Sequence, residues 1–165
     1  MTAQELMSKP VYTCHPDTDL AAVTEIMWQR DCGFVPVVTA TGTLVGVITD
    51  RDICMASATR HETPEAMSVR DTMASQVFSC RTEDEVDTAL ETMRANQVHR
   101  LPVVDGDERL AGVISFSDIV RHATQDGKIR SIGDHDLISA YRTIKAPRIG
   151  READADHMFG ETREA

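Results

Sequence analysis

Two short stretches of the chain place a carboxylate three positions after a hydroxyl residue. In one, Asp52 follows Thr49; in the other, Asp118 follows Ser115. Each stretch leaves an apolar run typical of a strand and opens a segment typical of a helix, so the hydroxyl lies at the helix N-cap and the carboxylate in the first turn. Free backbone N–H groups there attract phosphate, and an aspartate accepts hydrogen bonds from two vicinal ribose hydroxyls. Phosphate and diol together describe a nucleotide.

The same spacing also describes a capping box, which many helices carry without binding any ligand. On spacing alone, that structural interpretation is favoured. The sequence shows no nucleophile–base–orienter set and no phosphate loop of the GxxxxGKS type. Its Cys and His spacings do not indicate a metal site. An acid–base pair is conceivable at His99 and Arg100, but phosphate recognition is the simpler interpretation. We therefore predict neither catalytic residues nor metal ligands.

The two motifs belong to an internal repeat. A shift of 66 residues aligns Met7–Ile53 with Met73–Ile119 without a gap, and 14 of the 47 aligned pairs are identical. Chance does not produce a gapless match of this kind. The two halves should therefore share a fold.

Both halves show the same order of predicted elements. A β-prone run, Val11–Cys14 or Val77–Cys80, precedes a helix with one apolar stripe. Two further strands follow, separated by a turn that contains glycine, and a last helix begins after the hydroxyl residue. The unit is β-α-β-β-α, so the predicted fold class is α/β, of the α+β kind. A unit of about fifty residues buries little surface alone, so the two copies are expected to pack together.

Composition shifts along the chain predict the domain boundaries. The repeats define domains over 3–58 and 68–123, which a polar linker over 59–67 connects. Residues 124–165 form a C-terminal extension, in which an apolar stripe predicts a helix over 134–144. A flexible tail is expected after that helix, because the last residues have little to bury.

The net charge of −10 argues against nucleic acid as a partner, because phosphate backbones need a basic face. The stretch Lys128–Arg151 is basic and is a candidate docking segment for a partner protein, although a solvated helix face is the simpler interpretation. The N-terminus lacks the apolar core of a signal peptide, and no run approaches the roughly eighteen apolar residues of a membrane span. We therefore expect a cytoplasmic protein, without a membrane partner, whose four cysteines are reduced.

The duplicated order of motifs resembles the CBS-domain family. The stretches VHRLPVVD at 98–105 and GVITDRDI at 46–53 are close to the family's most typical spellings, and the resemblance covers about Ala3–Ala123. The pairing is similar to the tandem arrangement called a Bateman module, in its stand-alone bacterial form. The resemblance implies two repeats that pack through their sheets about a pseudo-twofold axis. It also implies two clefts that bind AMP, ADP, ATP, S-adenosylmethionine or a related adenine ligand, with magnesium accompanying ATP and no other cofactor.

The resemblance further implies a site led by the second repeat. Asp118 would hold the ribose there, and Ser115 and Ser117 would lie near the ribose or the phosphate. His99 and Arg100 match residues that face phosphate in nucleotide-binding relatives. The first repeat would close the adenine pocket of this site with four residues: Pro10, Val11, Cys32 and Gly33.

A mirror site led by the first repeat would use Asp52 for the ribose and Thr49 for the phosphate. Gln76 and Val77 would flank the base. A glycine and a phenylalanine stand here in place of the His–Arg pair, and Arg51 would only partly replace the missing cation. The resemblance therefore implies that the Asp118 site is the tighter one for a phosphorylated ligand.

Three functions remain open at this point. The first is a regulator that senses an adenine nucleotide, or another adenosyl ligand such as S-adenosylmethionine or NAD, and acts on a partner protein in trans. The second is a structural or oligomerisation module without a ligand. The third is an enzyme, because CBS pairs occur inside inosine monophosphate dehydrogenase, but the remaining residues, about forty, leave no room for a catalytic domain. Methionines and Trp28 on helix faces predict a homodimer.

Overall fold

The computed structural model describes residues 1–124 and 132–147, which form a mixed helix and strand fold. The helices are α1 (Ala3–Leu6), α2 (Leu20–Gln29), α3 (Asp50–Arg60), α4 (Val86–Asn96), α5 (Phe116–Thr124) and α6 (Asp134–Ile144), with a short 3-10 helix at Pro64–Ala66. The strands are β1 (Phe34–Val38), β2 (Leu44–Thr49), β3 (Cys80–Arg81), β4 (Arg100–Val104) and β5 (Leu110–Ser115). The predicted fold class is confirmed.

Each repeat is built around an antiparallel hairpin, and the two hairpins have the same register. Strand β1 pairs with β2 from the Phe34–Thr49 pair onward, and β4 pairs with β5 from the equivalent Arg100–Ser115 pair. Both hairpins shift register one residue before they end. The left-handed turn position is a glycine in the first repeat (Gly42, φ 85°) and a glutamate in the second (Glu108, φ 59°).

The predicted first strand of each repeat is much shorter than expected. In the second repeat it is the two-residue β3, parallel to β4. In the first repeat only one bridge remains, between Cys14 and Val37. Pro10, Val11 and Thr13 line a cavity instead of pairing along β1, which is the physical reason that their strand propensity is not realised.

The segment that opens each repeat packs against the other repeat. Ser8 bridges to Val113 of β5, and Ala74 bridges to Val47 of β2. The predicted linker over 59–67 is structured at both ends. Helix α3 continues through Arg60, and Met67 is only 2% exposed because it completes the core of the first repeat. This exchange of opening segments, through the Ser8–Val113 and Ala74–Val47 bridges, connects the two repeats.

The glycines of the two motifs make room for this exchange. A Cβ on Gly112 would lie 2.9 Å from the Cβ of Met7, and a Cβ on Gly46 would lie 2.5 Å from the Sδ of Met73. Both values are far below normal van der Waals contact. The motif glycines therefore allow the incoming methionines to lie directly on β2 and β5.

Helix α6 breaks the symmetry between the repeats. Its Leu137, Ala140 and Ile144 are buried in the core of the second repeat. The corresponding helices of the first repeat leave two apolar side chains in solvent, with Trp28 86% and Met55 51% exposed.

None of the helices in residues 1–124 and 132–147 is long and apolar enough to span a membrane. The predicted flexible tail, and both ends of the predicted docking segment Lys128–Arg151, lie outside the described residues.

Candidate ligand site

The two motif aspartates make the same hydrogen bonds in the two repeats. Oδ2 of Asp118 accepts from the backbone N of Ser115 at 3.0 Å and from its Oγ at 2.6 Å. Oδ2 of Asp52 accepts from the backbone N of Thr49 at 2.9 Å and from its Oγ at 2.6 Å. In return, each hydroxyl oxygen accepts from the backbone N of its aspartate. The capping box predicted as the structural interpretation is therefore present twice.

Capping uses only Oδ2 of each aspartate, so it does not occupy both carboxylate oxygens. Oδ1 of Asp118 lies 3.9 Å from Nη1 of Arg121, a loose pair with an exposed guanidinium. An ionised carboxylate oxygen accepts more than one hydrogen bond. The same side chain therefore has the geometry to cap α5 and to bind a hydroxyl group.

The predicted phosphate contacts lie beside the Asp118 motif. The carbonyl oxygen of His99 accepts from the backbone N of Phe116 at 2.9 Å, and Arg100 pairs with Ser115 across the hairpin. Nη1 of Arg100 lies 3.4 Å from Nε2 of His99. The start of β4 thus lies next to the start of α5, which brings His99, Arg100 and the capped carboxylate to the same end of the hairpin.

A third cation belongs to this cluster. Partial desolvation lowers the pKa of His99, and the charges of Arg100 and Lys145 lower it further, while Asp50 acts in the opposite sense. Lys145 is the C-cap residue of α6. It comes from outside the repeats, so the repeat alignment could not identify it. The only signal in the sequence was the basic character of the extension.

Two cavities contain the residues predicted to close the adenine pocket, and the lining of neither includes Asp118, Ser115, His99 or Arg100. The first has a volume of about 600 Å³ and takes Pro10 and Val11 from the first repeat and Leu110 and Ala111 from the second. The second, of about 480 Å³, is lined by Met27, Trp28, Asp31, Cys32, Gly33 and Asp50. The four residues predicted to close one adenine pocket are therefore distributed over two cavities.

The second cavity is separate because residues 32 and 33 face the start of their own helix. The carbonyl oxygen of Gly33 accepts from the backbone N of Asp50 at 3.3 Å. The carboxylate of Asp50 lies over Gly33, where an added Cβ would be 2.6 Å from Oδ2. Pro10 and Val11 instead face the junction between the two hairpins, where the backbone N of Leu110 donates to the carbonyl oxygen of Gly42.

The mirror site differs from the Asp118 site in charge. Asp50 stands where the second repeat has Phe116, so this site gains a carboxylate beside Asp52. Arg51 is exposed, Gln76 is exposed and Val77 is half-buried. The charge of Asp50 also acts on His99, whose pKa it raises, so it reaches both sites; that the mirror site is the weaker one for a phosphorylated ligand stays a prediction.

Cys14 and Cys80 occupy equivalent positions in the two repeats, and both are free and buried. Burial raises the pKa of Cys14 to about 11 and that of Cys80 to about 12. A thiol with so high a pKa is neutral at pH 7 and is a poor nucleophile. Both act as small apolar residues of the core.

Comparison with known proteins identifies the class. The profile of the CBS domain matches residues 3–59 and 69–124. The chain belongs to the CBS-domain family, and the two matches in tandem make the pair that the internal repeat predicted.

Inosine-5′-monophosphate dehydrogenase of Methanocaldococcus jannaschii is 34% identical over 154 residues, which are 87% of this chain and 30% of the dehydrogenase. The enzyme of the same name from Mycobacterium leprae is 35% identical over 117 residues, or 70% of this chain and 21% of the enzyme. The chain thus spans less than a third of the length of these relatives.

Two solved structures have the same fold. The CBS domain pair of protein MJ0100, in complex with 5′-methylthioadenosine and S-adenosyl-L-methionine, has a TM-score of 0.69 at 25% identity, covering 76% of this chain and 98% of that one. The CBS-domain protein ATU1752 from Agrobacterium tumefaciens has a TM-score of 0.67 at 27% identity, covering 74% of this chain and 99% of that one.

Proposed function

We propose that this chain is a regulatory module that binds an adenine nucleotide at the Asp118 site and signals to a partner protein in trans. One observation carries the proposal: the half-capped carboxylate of Asp118 lies at the same end of the hairpin as His99 and Arg100. A carboxylate for the ribose and cations for the phosphate are the two groups that a nucleotide requires. The similar MJ0100 pair holds two adenosyl compounds, which supports the same ligand class here.

Each part of the site has an expected role in binding. Oδ1 of Asp118 accepts from the ribose hydroxyls, and Ser117, exposed in the first turn of α5, lies at the phosphate side. The adenine enters the cavity lined by Pro10, Val11 and Ala111. Because this cavity takes residues from both repeats, a bound ligand favours one relative arrangement of the repeats over others.

The proposal contains no chemical step. The similarity to the dehydrogenases covers a third of those enzymes or less, and binding groups rather than a reactive set converge at Asp118. The four free cysteines fit a reducing compartment, so we include a cytoplasmic location in the proposal.

Nucleotide binding is expected to raise the melting temperature of the full chain. A ligand that binds only the folded state adds about 2.7 kcal/mol of stability at a hundred times its dissociation constant. The measurement is a thermal-shift screen over AMP, ADP, ATP with magnesium, NAD, S-adenosylmethionine and cyclic dinucleotides, with GMP as the control for the base. Stabilisation by S-adenosylmethionine alone would favour the other adenosyl ligands. A folded protein that no ligand stabilises would favour the structural module.

A homodimer is expected in solution. Trp28 on α2 and Met55 on α3 are exposed, and so are Ile138 and Tyr141 on α6. Exposed large apolar residues of this kind mark contact surfaces. Light scattering at micromolar concentration should give twice the chain mass, and Trp28→Lys should shift the mass toward the monomer. A monomeric mass for the unaltered chain, with and without AMP, contradicts this prediction.

A further inference from the structure

Helix α6 is attached to the second repeat at three places. Its apolar face is buried through Leu137, Ala140 and Ile144. The ring of Tyr141 lies 6.1 Å from that of Phe116, the first residue of α5. Its last turn accepts hydrogen bonds from the side chain of Gln97. A segment from outside the repeats therefore packs against the elements that carry the proposed ligand site.

The last turn of α6 contacts Gln97, just before His99 and Arg100. Nε2 of Gln97 donates to the carbonyl oxygen of Thr143 at 3.2 Å and to that of Ala146 at 3.4 Å. Gln97 is the C-cap of α4 and precedes His99 by two positions. Ile144 and Lys145 lie between Thr143 and Ala146 in the sequence; Ile144 is buried, whereas Lys145 is exposed. This contact holds the backbone on both sides of Lys145 next to the segment that leads into β4, and the charge of Lys145 acts on His99 just before that strand.

We propose that Lys145 is the third cation of the phosphate subsite, so that a bound phosphate holds α6 against the second repeat and the C-terminal extension reports ligand occupancy. The inference rests on the proposed function, since it assigns the regulation of the same site. It commits to a phosphorylated ligand, because only a phosphate engages Lys145 together with His99 and Arg100.

Electrostatics determine the direction of this response. Lys145 and Arg100 carry like charges and both lower the pKa of His99, so their mutual repulsion disfavours docking of the last turn of α6, while the carboxylate of Asp50 acts on His99 in the opposite sense. A phosphate with nearly two negative charges reverses the sign, because each cation then gains an attractive partner. The buried apolar face supplies the remaining attachment. Ligand binding therefore strengthens a contact that the apolar face of α6 has already formed.

Among the described residues, no helix packs on the first repeat as α6 packs on the second. Helices α2 and α3 of the first repeat expose Trp28 and Met55, whereas in the second repeat α6 packs against α4 and places Tyr141 beside Phe116 of α5. The motif of the first repeat carries Asp50 in place of Phe116, so the aromatic contact to Tyr141 has no counterpart there. Helix α6 therefore responds to ligand binding at the Asp118 site and not at the mirror site.

The test compares Lys145→Gln with Arg142→Gln in the full chain. Arg142 is exposed in the same last turn, so its replacement removes the same charge from the same helix. Titration calorimetry should show AMP affinity reduced about three- to tenfold by Lys145→Gln, with adenosine affinity unchanged. Arg142→Gln should leave both affinities near those of the unaltered chain, and Lys145→Arg should restore AMP binding.

Hydrogen exchange at residues 134–146 is the second readout. AMP should slow exchange there in the unaltered chain and in Arg142→Gln, but not in Lys145→Gln, and adenosine should slow it in none of them. Equal AMP affinity and equal α6 protection in Lys145→Gln would overturn the inference while leaving nucleotide sensing intact. An equal loss of adenosine binding would also overturn it, because Lys145 would then not act through the phosphate. If the unaltered chain binds no nucleotide, the proposed function itself fails.

Discussion

Asp118→Ala is expected to lower AMP affinity about tenfold or more, because hydrogen bonds to a charged group contribute about 1.5–3 kcal/mol each. The structure complicates the simplest form of this experiment. Asp118 also caps α5 through Oδ2, so the same change should cost about 1 kcal/mol of folding stability. A weaker affinity could then arise from a loosened helix. Titration calorimetry must therefore be combined with a control that loses the same cap.

Asp52→Ala is that control. Asp52 caps α3 with the same two donors at nearly the same distances, so the two variants should lose similar stability. We expect Asp52→Ala to reduce AMP affinity much less, because its site lacks the His–Arg pair and carries Asp50. If both variants lose the same stability and Asp118→Ala keeps full AMP affinity, the motif is only a cap and the chain is a structural repeat.

Arg100→Ala is expected to reduce AMP affinity about tenfold while leaving adenosine affinity nearly unchanged. Arg100 is half-buried at the start of β4, so its charge is less screened than that of a surface arginine. Its pairing with Ser115 involves backbone groups that alanine keeps. The hairpin should therefore survive the substitution. Calorimetric titration with the two ligands isolates the contribution of the phosphate.

Arg51→Ala is the matched control for Arg100→Ala. Arg51 is the exposed cation proposed for the mirror site, and its loss should change AMP affinity at the Asp118 site very little. Arg100→Lys should recover part of the affinity, because lysine keeps the charge but not the planar fork of donors. Equal losses of AMP and adenosine in Arg100→Ala would place Arg100 away from the phosphate.

Predictions from the repeat alignment were most accurate where they depended on residues close together in the sequence. The hydroxyl–aspartate spacing predicted both caps, since an N-cap and its N3 partner are only three residues apart. The stripe Val86, Ala89, Leu90 and Met93 is entirely buried, as its helical period predicted. The ends of α2 and α4 also keep the shift of 66 residues, because Asp31 and Gln97 are both left-handed.

Predictions that depended on contacts between residues far apart in the sequence were less accurate. The run Val11–Cys14 has strand propensity, but its residues line a cavity formed with the second repeat. Met67 looked like the end of a linker, yet it fills the core of the repeat before it. The pocket expected from Pro10, Val11, Cys32 and Gly33 is divided, because Asp50 folds over Gly33.

The sequence by itself therefore determined the duplicated unit, its order of elements and the two capped carboxylates, because these depend on periodicity and on spacings within one helical turn. The tertiary structure alone decided which segment crosses to which repeat and that α6 brings Lys145 toward His99. Such contacts join residues far apart in the chain, and their partners are selected by the shape and charge of surfaces that exist only after packing. The inequality between the two sites arises at both levels: the His–Arg pair is visible in the sequence, whereas the third cation is visible only in the fold.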